Sequence, residues 1–194
     1  MKVCVFCGSS PLVDSIYLKE ASELGKILAL ADYSVNYGCG AFGVMGALAD
    51  SILEHKGKIT GIIPAFMVDY GWSNPRITET IVTSDMRERK KTDVTGIDAV
   101  IALPGGIGTL EELMEVITLK QLGQFKPPIL ILNTNNFYDH LTAFLEEMIR
   151  QKFMNESHRK IWTVVNSPSE VIPALKNYEG WDADISMHPT SLPK

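Results

Sequence analysis

The stretch "LPGGIGTLEEL", residues 103–113, decides the fold. It closes an apolar, β-rich run, "DAVIALP", and places three glycines, Gly105, Gly106 and Gly108, before a helical pattern that opens at Thr109. A strand that enters a helix through a glycine-rich loop is typical of α/β sheets, whose ligands bind at the carboxyl ends of the strands. Glycines leave the backbone N–H groups at a helix N-terminus accessible, which favours an anionic ligand.

The alternation of apolar runs and helical patterns continues along the chain. The predicted strands are "KVCVF", "YSVNY", "KITGIIP", "TIVT", "DAVIALP", "PILILN" and "WTVV". The predicted helices include residues 14–30 and the stretches "GVMGALADSILEH", "TLEELMEVITLKQL" and "FYDHLTAFLEEMIRQ". Strands that are apolar throughout indicate a parallel sheet covered on both faces. The sequence therefore predicts a doubly wound, mostly parallel, Rossmann-like α/β sheet with helices on both faces. We expect one domain over residues 1–180 and a C-terminal extension over residues 181–194.

The composition narrows the class of protein. The chain has 194 residues, of which 45% are hydrophobic and 21% charged, as in an ordinary globular domain. A formal net charge of −5 argues against broad nucleic-acid binding but leaves a small anionic ligand open. No apolar run reaches the roughly 18 residues of a membrane span, and "MKVCVFCGSS" lacks the flanks of a signal peptide, so we expect no membrane and a cytoplasmic protein. The three cysteines predict free thiols, and with four histidines they are too few for a ready zinc site.

A second glycine-rich loop, "YGCGAFGVMG", follows the second predicted strand and contains G-x-G-x-x-G at Gly38, Gly40 and Gly43. Taken alone, this pattern indicates dinucleotide binding. That function also needs an acidic residue at the end of the next strand to hold a ribose, and "KITGIIP" ends without one. The hypothesis of an NAD-binding oxidoreductase is therefore weakened. A purely structural role in tight turns stays open for Gly43 and Gly46.

The loop "PGGIGTLEE" has two explanations. It is not a Walker loop, because no lysine follows its last glycine. Thr109 and Glu112 match a capping box, which accounts for the hydroxyl and the acids but not for three glycines. Phosphate docking on bare N–H groups accounts for the glycines as well. A carboxylate near a helix N-terminus is also held ionised, which suits a base or a stabiliser of positive charge.

A basic stretch, "DMRERKKTDV" at residues 85–94, precedes the strand that leads to this loop. In a helix here, Arg89 and Lys90 would be adjacent in sequence but would point in different directions around the helix axis. Such a run is commonly a solvated face. Its position directly before the "DAVIAL" strand favours a functional role instead.

Taken together, these motifs resemble those of the LOG (Lonely Guy) family, the cytokinin riboside 5′-monophosphate phosphoribohydrolases long mislabelled as lysine decarboxylases. The resemblance extends from "CVFCGSS" to "EVIPAL". The family's P-G-G-x-G-T-x-x-E stands at residues 104–112, and its M-H-x-R-K segment at residues 86–90. The loops "YGCGAFGVMG" and "TGIIP" and the stretch "EVITLKQLG" follow the family pattern in the same order.

The resemblance implies hydrolysis of the N-glycosidic bond of a nucleoside 5′-monophosphate, AMP or an N6-modified AMP, to a free base and ribose 5-phosphate. It makes Arg89 and Glu112 the catalytic pair and implies no metal or organic cofactor. It also implies a homodimer with sites near the subunit interface. The implied substrate contacts are Lys90, Gly105, Gly106, Gly108, Thr109, Glu111 and Thr118. The alternative is a nucleotide-binding protein without significant catalysis, in which Glu112 only caps its helix.

The reaction passes through an oxocarbenium-like ribose, which an adjacent carboxylate stabilises while it orients water. Arg89, always protonated, is suited to clamp phosphate or ribose oxygens. Four positions depart from the family pattern: Arg87 replaces a His, Cys39 a Gly and Leu119 a Trp, and Gly71 stands where a substrate-contacting Glu is common. We therefore expect weak selectivity for the N6 substituent.

A pyridoxal-dependent decarboxylase would need a Schiff-base lysine in a deep pocket. The only His-Lys pair, His55 and Lys56, ends a predicted amphipathic helix, so we expect a solvated helix terminus there.

Overall fold

The computed structural model describes residues 1–77 and 79–181. Its strands are β1 (Lys2–Phe6), β2 (Ser34–Tyr37), β3 (Lys58–Pro64), β4 (Glu79–Thr83), β5 (Ala99–Ala102), β6 (Ile129–Leu132) and β7 (Trp162–Val165). Its α-helices are α1 (Ser15–Leu30), α2 (Gly43–Glu54), α3 (Ala65–Asp69), α4 (Met86–Val94), α5 (Ile107–Gln121), α6 (Asp139–Arg150) and α7 (Val171–Lys176). Short 3₁₀ helices lie at Thr134–Asn136, Glu156–Lys160 and Pro168–Glu170.

The seven strands form one sheet in the order β4-β3-β2-β1-β5-β6-β7, and every neighbouring pair is parallel. The central strand β1 pairs on one edge with β2, Val3 opposite Val35, and on the other with β5, Val3 opposite Ala99. The chain therefore winds outward from β1 in both directions, and the predicted doubly wound sheet is confirmed. The reversal of strand order places a crevice at the carboxyl ends of β1 and β5.

Helices cover both faces of the sheet, and each face has its own core. Val3 and Val5 of β1 pack in one core with side chains of α1 and α2, whereas Cys4 and Phe6 pack in the other with side chains of α5 and α6. This division follows from the alternation of side chains along a strand. It also explains why the strands are apolar throughout rather than at every second residue.

Helix α5 begins two residues earlier than the sequence pattern predicts. Gly106 is its N-cap, with no side-chain capping bond, and Thr109 already lies in the first turn. The capping box expected from Thr109 and Glu112 is therefore wrong, and the Glu112 side chain pairs with Arg89 instead. By contrast, the Asp14 carboxylate caps α1 and accepts a hydrogen bond from the Ile16 N–H at 3.0 Å.

The three cysteines are free and buried, as predicted, and burial raises the pKa of the Cys4 and Cys7 thiols. Of the expected C-terminal extension, only Trp181 lies within the described residues. Its indole N–H donates to the Ser157 carbonyl at 3.2 Å, and its ring packs against the core that contains Phe6. Within the described part of the chain, no helix has the length and apolar character needed to cross a membrane.

Candidate active site

A cavity of about 500 Å³ opens at the carboxyl ends of the central strands. Loops after β1, β2 and β5 form its walls, together with the ends of β3 and the N-terminal parts of α4 and α5. The lining residues are Cys7, Gly8, Ser9, Gly38, Gly40, Ala41, Phe42, Met45, Ile63, Met67, Gly71, Trp72, Met86, Arg89, Gly106, Gly108, Thr109 and Glu112. The cavity thus lies in the crevice that the strand order creates.

The loop before α5 contains two kinds of glycine. A Cβ atom on Gly105 would lie 2.1 Å from the Thr109 hydroxyl and 2.9 Å from the Gly8 nitrogen, so close packing requires glycine there. A Cβ atom on Gly106 or Gly108 would meet nothing within 4 Å, and neither residue has a positive φ. These two positions leave open space beside the cavity, which is what the approach of a ligand requires.

The first N–H groups of α5 face no intrahelical acceptor, because the first turn of any helix lacks one. The first such bond of α5 runs from the Leu110 N–H to the Gly106 carbonyl at 3.0 Å. The helix dipole adds a partial positive charge at this end. Together with the buried Thr109 hydroxyl, this end of the helix is suited to bind a phosphate group.

Arg89 of α4 and Glu112 of α5 form a buried ion pair on the wall of the cavity. The two residues are 8% and 6% exposed, and Arg89 Nη1 donates to Glu112 Oε1. Arg89 Nε lies 3.1 Å from Asp93 Oδ2, one helical turn further along α4. A Cβ atom on Gly38 would lie 2.7 Å from Arg89 Nη2, so a glycine in the β2 loop makes room for the guanidinium.

Two opposing effects act on the Glu112 carboxyl. Burial raises the pKa of Glu112, and the neighbouring Arg89 lowers it, with a net shift above the ordinary value. Glu112 lies beyond the first turn of α5, so the ion pair with Arg89, rather than the helix end, favours its ionised form. A buried carboxylate with a raised pKa is suited to accept a proton.

Not all of the expected contacts line this cavity. Of those residues, Arg89, Glu112, Gly106, Gly108 and Thr109 come together there, and Gly105 lies directly behind the loop.

Lys90 and Glu111 pair with each other outside this cavity, and Lys90 Nζ also lies 3.1 Å from Glu115 Oε2. Thr118 is exposed, and its hydroxyl donates to the Met114 carbonyl at 2.8 Å. It lies six residues, or about 9 Å of helix rise, beyond Glu112.

The departures from the family pattern fall in different places. Gly71 lines the main cavity with a φ of 74°, and a Cβ atom there would meet nothing within 4 Å. Arg87 is exposed and lines neither cavity. Cys39 is buried at a φ of 65°, and its sulfur packs over Gly61. The pair His55 and Lys56 ends α2, away from both cavities.

A second cavity of about 330 Å³ lies on the other side of the ion pair, and Glu112 is the residue that the two cavities share. Its walls include Phe6, Val116, Leu119 and Phe125, and Asp93 contributes a carboxylate. Asp93 was not predicted from the sequence, although its spacing of four residues from Arg89 in a helical stretch places both on one face. Trp72 was not predicted either, because it belongs to no recognisable sequence motif.

Comparisons with known proteins identify the family of this chain. The sequence profile of the family described as "Possible lysine decarboxylase" matches residues 45–175. The chain is 38% identical over 177 residues to the probable cytokinin riboside 5′-monophosphate phosphoribohydrolase LOGL2 of Oryza sativa subsp. japonica, covering 91% of this chain and 72% of that protein. It is 36% identical over 178 residues to the cytokinin riboside 5′-monophosphate phosphoribohydrolase LOG5 of Arabidopsis thaliana, covering 92% and 78% of the two chains.

Solved structures share the fold. A molybdenum cofactor binding protein from Rippkaea orientalis superposes with a TM-score of 0.69 at 23% identity, covering 90% of this chain and 94% of that one. The molybdenum cofactor carrier protein of Chlamydomonas reinhardtii gives a TM-score of 0.68 at 20% identity, covering 91% and 97%. At these identities the likeness concerns the fold alone. The family profile and the relatives above 30% identity establish that the chain belongs to the LOG family.

Proposed function

We propose that this chain is a nucleoside 5′-monophosphate phosphoribohydrolase. It hydrolyses the N-glycosidic bond of AMP or an N6-modified AMP and releases the free base and ribose 5-phosphate. The observation that carries the proposal is the buried Arg89–Glu112 pair, which borders a cavity beside an uncapped helix N-terminus with two open glycines. The names of the relatives in rice and Arabidopsis describe the same reaction.

The 5′-phosphate binds at the N-terminus of α5. Gly106 and Gly108 give its oxygens access to the backbone N–H groups, and the Thr109 hydroxyl donates a further hydrogen bond. Phosphate bound here brings the ribose toward Glu112, which lies one turn further along the same helix. Because the nucleotide is already held in this position, less entropy is lost when the bound substrate reaches the transition state.

Glu112 acts on the ribose. The bond from C1′ to the base breaks with its electron pair leaving on the base, and the Glu112 carboxylate stabilises the positive charge that develops on the sugar. A water molecule attacks C1′ and gives its proton to Glu112, while the departing base takes a proton from solvent. Arg89 holds Glu112 in place through Nη1 and presents Nη2, beside Gly38, toward phosphate or ribose oxygens.

The base faces a wall of apolar side chains, Met45, Ile63, Met67 and Trp72. Trp72 is 57% exposed and stacks at a tilt on Tyr70, with 5.3 Å between the ring centroids. Methionine and tryptophan accommodate both a purine and an alkyl substituent. Since Gly71 offers no carboxylate, polar discrimination at N6 is limited, and both AMP and prenylated AMP are substrates.

We extend the proposal to a homodimer in the cytoplasm that binds no nucleic acid. Glu111 and Thr118 lie on the outer side of α5, so their implied substrate contacts fit a site completed from a neighbouring subunit. The net charge of −5 supports the absence of nucleic-acid binding. Light scattering of the purified chain measures the mass of the assembly, and a monomeric mass contradicts the dimer.

A panel of nucleoside 5′-monophosphates, with chromatographic detection of the released base, tests the activity. Release of adenine from AMP supports the proposal. Binding of AMP without any release of base supports the alternative, a nucleotide-binding protein without catalysis. That alternative explained Glu112 as a helix cap, and Glu112 does not cap its helix. Tight binding of NAD in place of AMP would favour an oxidoreductase.

A further inference from the structure

We propose that Asp93 is a positioning residue, which fixes the Arg89 guanidinium so that one edge meets Glu112 and another faces the main cavity. The inference rests on the proposed function, because it assigns Asp93 a part in the same reaction. Asp93 is 1% exposed and lies one turn after Arg89 on α4. It does not line the main cavity, so it acts through Arg89 and not on the substrate.

The contacts of Arg89 define the orientation of its side chain. Nε lies 3.1 Å from Asp93 Oδ2, and Nη1 donates to Glu112. Nη2 lies beside Gly38, a residue of the cavity wall. A planar guanidinium held on two edges has one free edge left, and here that edge faces the loop that lines the cavity. Without Asp93, only the contact with Glu112 would hold the plane of the group.

Asp93 is itself anchored to the sheet. Its backbone carbonyl accepts a hydrogen bond from Asn36 Nδ2 of β2 at 3.2 Å. Within the described residues, no donor makes a well-aligned hydrogen bond to either of its carboxylate oxygens, so the contact with Arg89 Nε is purely an ion pair. A buried carboxylate with one charged partner and no other is costly to keep. A role in holding Arg89 accounts for its presence.

Several charged or titratable groups face Asp93. Arg89 comes from the same helix, Glu112 and Glu115 from α5, and Cys4 from β1. Burial raises the pKa of Asp93 to about 7, against the opposing effect of Arg89 and with a further rise from Glu112 and Glu115. The second cavity borders Asp93, and both of its carboxylate oxygens are buried. Asp93 is therefore protonated below neutral pH and charged above it, and only the charged form attracts Arg89.

The first test measures AMP turnover from about pH 5.5 to 8.5, a range that brackets this pKa. We expect wild-type kcat/KM to rise with pH through an apparent pKa near 7. Asp93→Asn should lower kcat/KM at the upper end by about 10-fold to 100-fold through misplacement of Arg89, and the limb near pH 7 should disappear. Asp93→Glu, whose extra methylene the second cavity can accept, should restore the limb. Glu88→Gln removes an exposed carboxylate from the same helix and should behave as wild type.

A merely structural role for Asp93 predicts something else. Asp93→Asn would then lower the midpoint of thermal unfolding but leave the pH profile of the folded enzyme unchanged. That result, or a variant with wild-type turnover throughout the range, overturns the proposal while leaving the phosphoribohydrolase activity intact.

A second test does not depend on turnover. In protein labelled with ¹⁵N-arginine, the Nε resonance of Arg89, assigned with Arg89→Lys, should shift with a midpoint near pH 7 in the wild type. It should not shift in that range in Asp93→Asn. If the wild-type enzyme hydrolyses no nucleotide, the proposed function fails, and this resonance still decides whether Asp93 holds Arg89. An Arg89 Nε resonance at the same position in wild type and Asp93→Asn at the upper end of the range overturns the proposal.

Discussion

Two glycine-rich loops border the main cavity, and different constraints act on their glycines. In the loop after β2, Gly43 has a φ of 60°, and a Cβ atom on it would lie 2.3 Å from the Ser10 carbonyl oxygen. A Cβ atom on Gly46 would lie 2.4 Å from the Ala41 carbonyl oxygen. Backbone conformation and close packing therefore require these residues, whether or not a ligand binds.

In the loop before α5, Gly106 and Gly108 have neither constraint, because a Cβ atom would fit at both. Their absent side chains leave space that the protein itself does not fill. Gly43 and Gly46 thus belong to a packed turn, whereas Gly106 and Gly108 leave open space beside the cavity; Gly38 and Gly40 of the first loop also line that cavity. The density of glycines in a sequence does not separate these two cases, whereas the surroundings of each Cβ position do.

The largest expected effect on turnover comes from a substitution in α5, the helix that follows the loop with Gly106. Glu112→Gln should lower kcat by about 10²-fold or more, since it removes a charge that stabilises the transition state. AMP affinity, measured by calorimetry, should change little because the phosphate site is intact. Turnover close to wild type would contradict a catalytic role for Glu112.

The next effect concerns the phosphate. Adenosine should have a kcat/KM about 10²-fold or more below that of AMP, because it lacks the group that binds the α5 N-terminus and positions the ribose. Base release from both substrates under matched conditions measures the ratio. Similar values for the two substrates would mean that the open space at Gly106 and Gly108 does not hold a phosphate.

A pair of alanine substitutions sharpens the comparison of the two loops. Gly46→Ala should lower the free energy of unfolding by about 2 kcal/mol, because the new methyl group meets a backbone carbonyl. Gly108→Ala should leave stability equal or slightly higher, since glycine in a helix is unfavourable, but should weaken AMP binding. Denaturant unfolding and calorimetry on the same two proteins give both quantities. The reverse pattern would exchange the roles assigned to the two loops.

The smallest effect concerns the base. AMP and N6-isopentenyl-AMP should have kcat/KM values within about tenfold of each other, or ~1.4 kcal/mol. Trp72→Ala should reduce turnover of the isopentenyl nucleotide more than that of AMP, because it removes an apolar surface at the cavity wall. Phe153→Ala, an exposed aromatic far along the chain, is the matched control. A preference of about a thousandfold for either nucleotide would contradict weak selectivity.

The order of strands and helices could be predicted because each strand is buried on both faces and each major helix has its own periodic pattern. The start of α5 could not, because Thr109 and Glu112 have the spacing of a capping box, whereas the backbone enters the helix at Gly106. Local spacing does not reveal that Glu112 has a stronger partner 23 residues earlier in the chain.

The resemblance singled out Arg89 and Glu112, which the structure places in contact, but it did not predict their surroundings. Lys90, next to Arg89, pairs with Glu111 and lines the second cavity, and Thr118 is exposed and lines neither cavity. Asp93 is in the quoted basic stretch, yet its burial depends on how α4 packs on β2, which is a tertiary contact. Contacts between side chains from separate helices and strands are the features of a site that are hardest to predict from a single sequence.

The central position of β1 also governs how this protein is made. β1 leaves the ribosome before the other strands of this sheet, and β2 and β3 can pair beside it in turn, but its second edge remains unpaired until β5 is made, where Val3 lies opposite Ala99. Until then a nascent chain exposes an unpaired, apolar strand edge, the kind of surface that leads to aggregation during synthesis. Arg89 is synthesised before Glu112, so its buried site cannot close on the incomplete chain. We expect chains arrested before residue 99 to bind chaperones, and chains extended past α5 to be released from them.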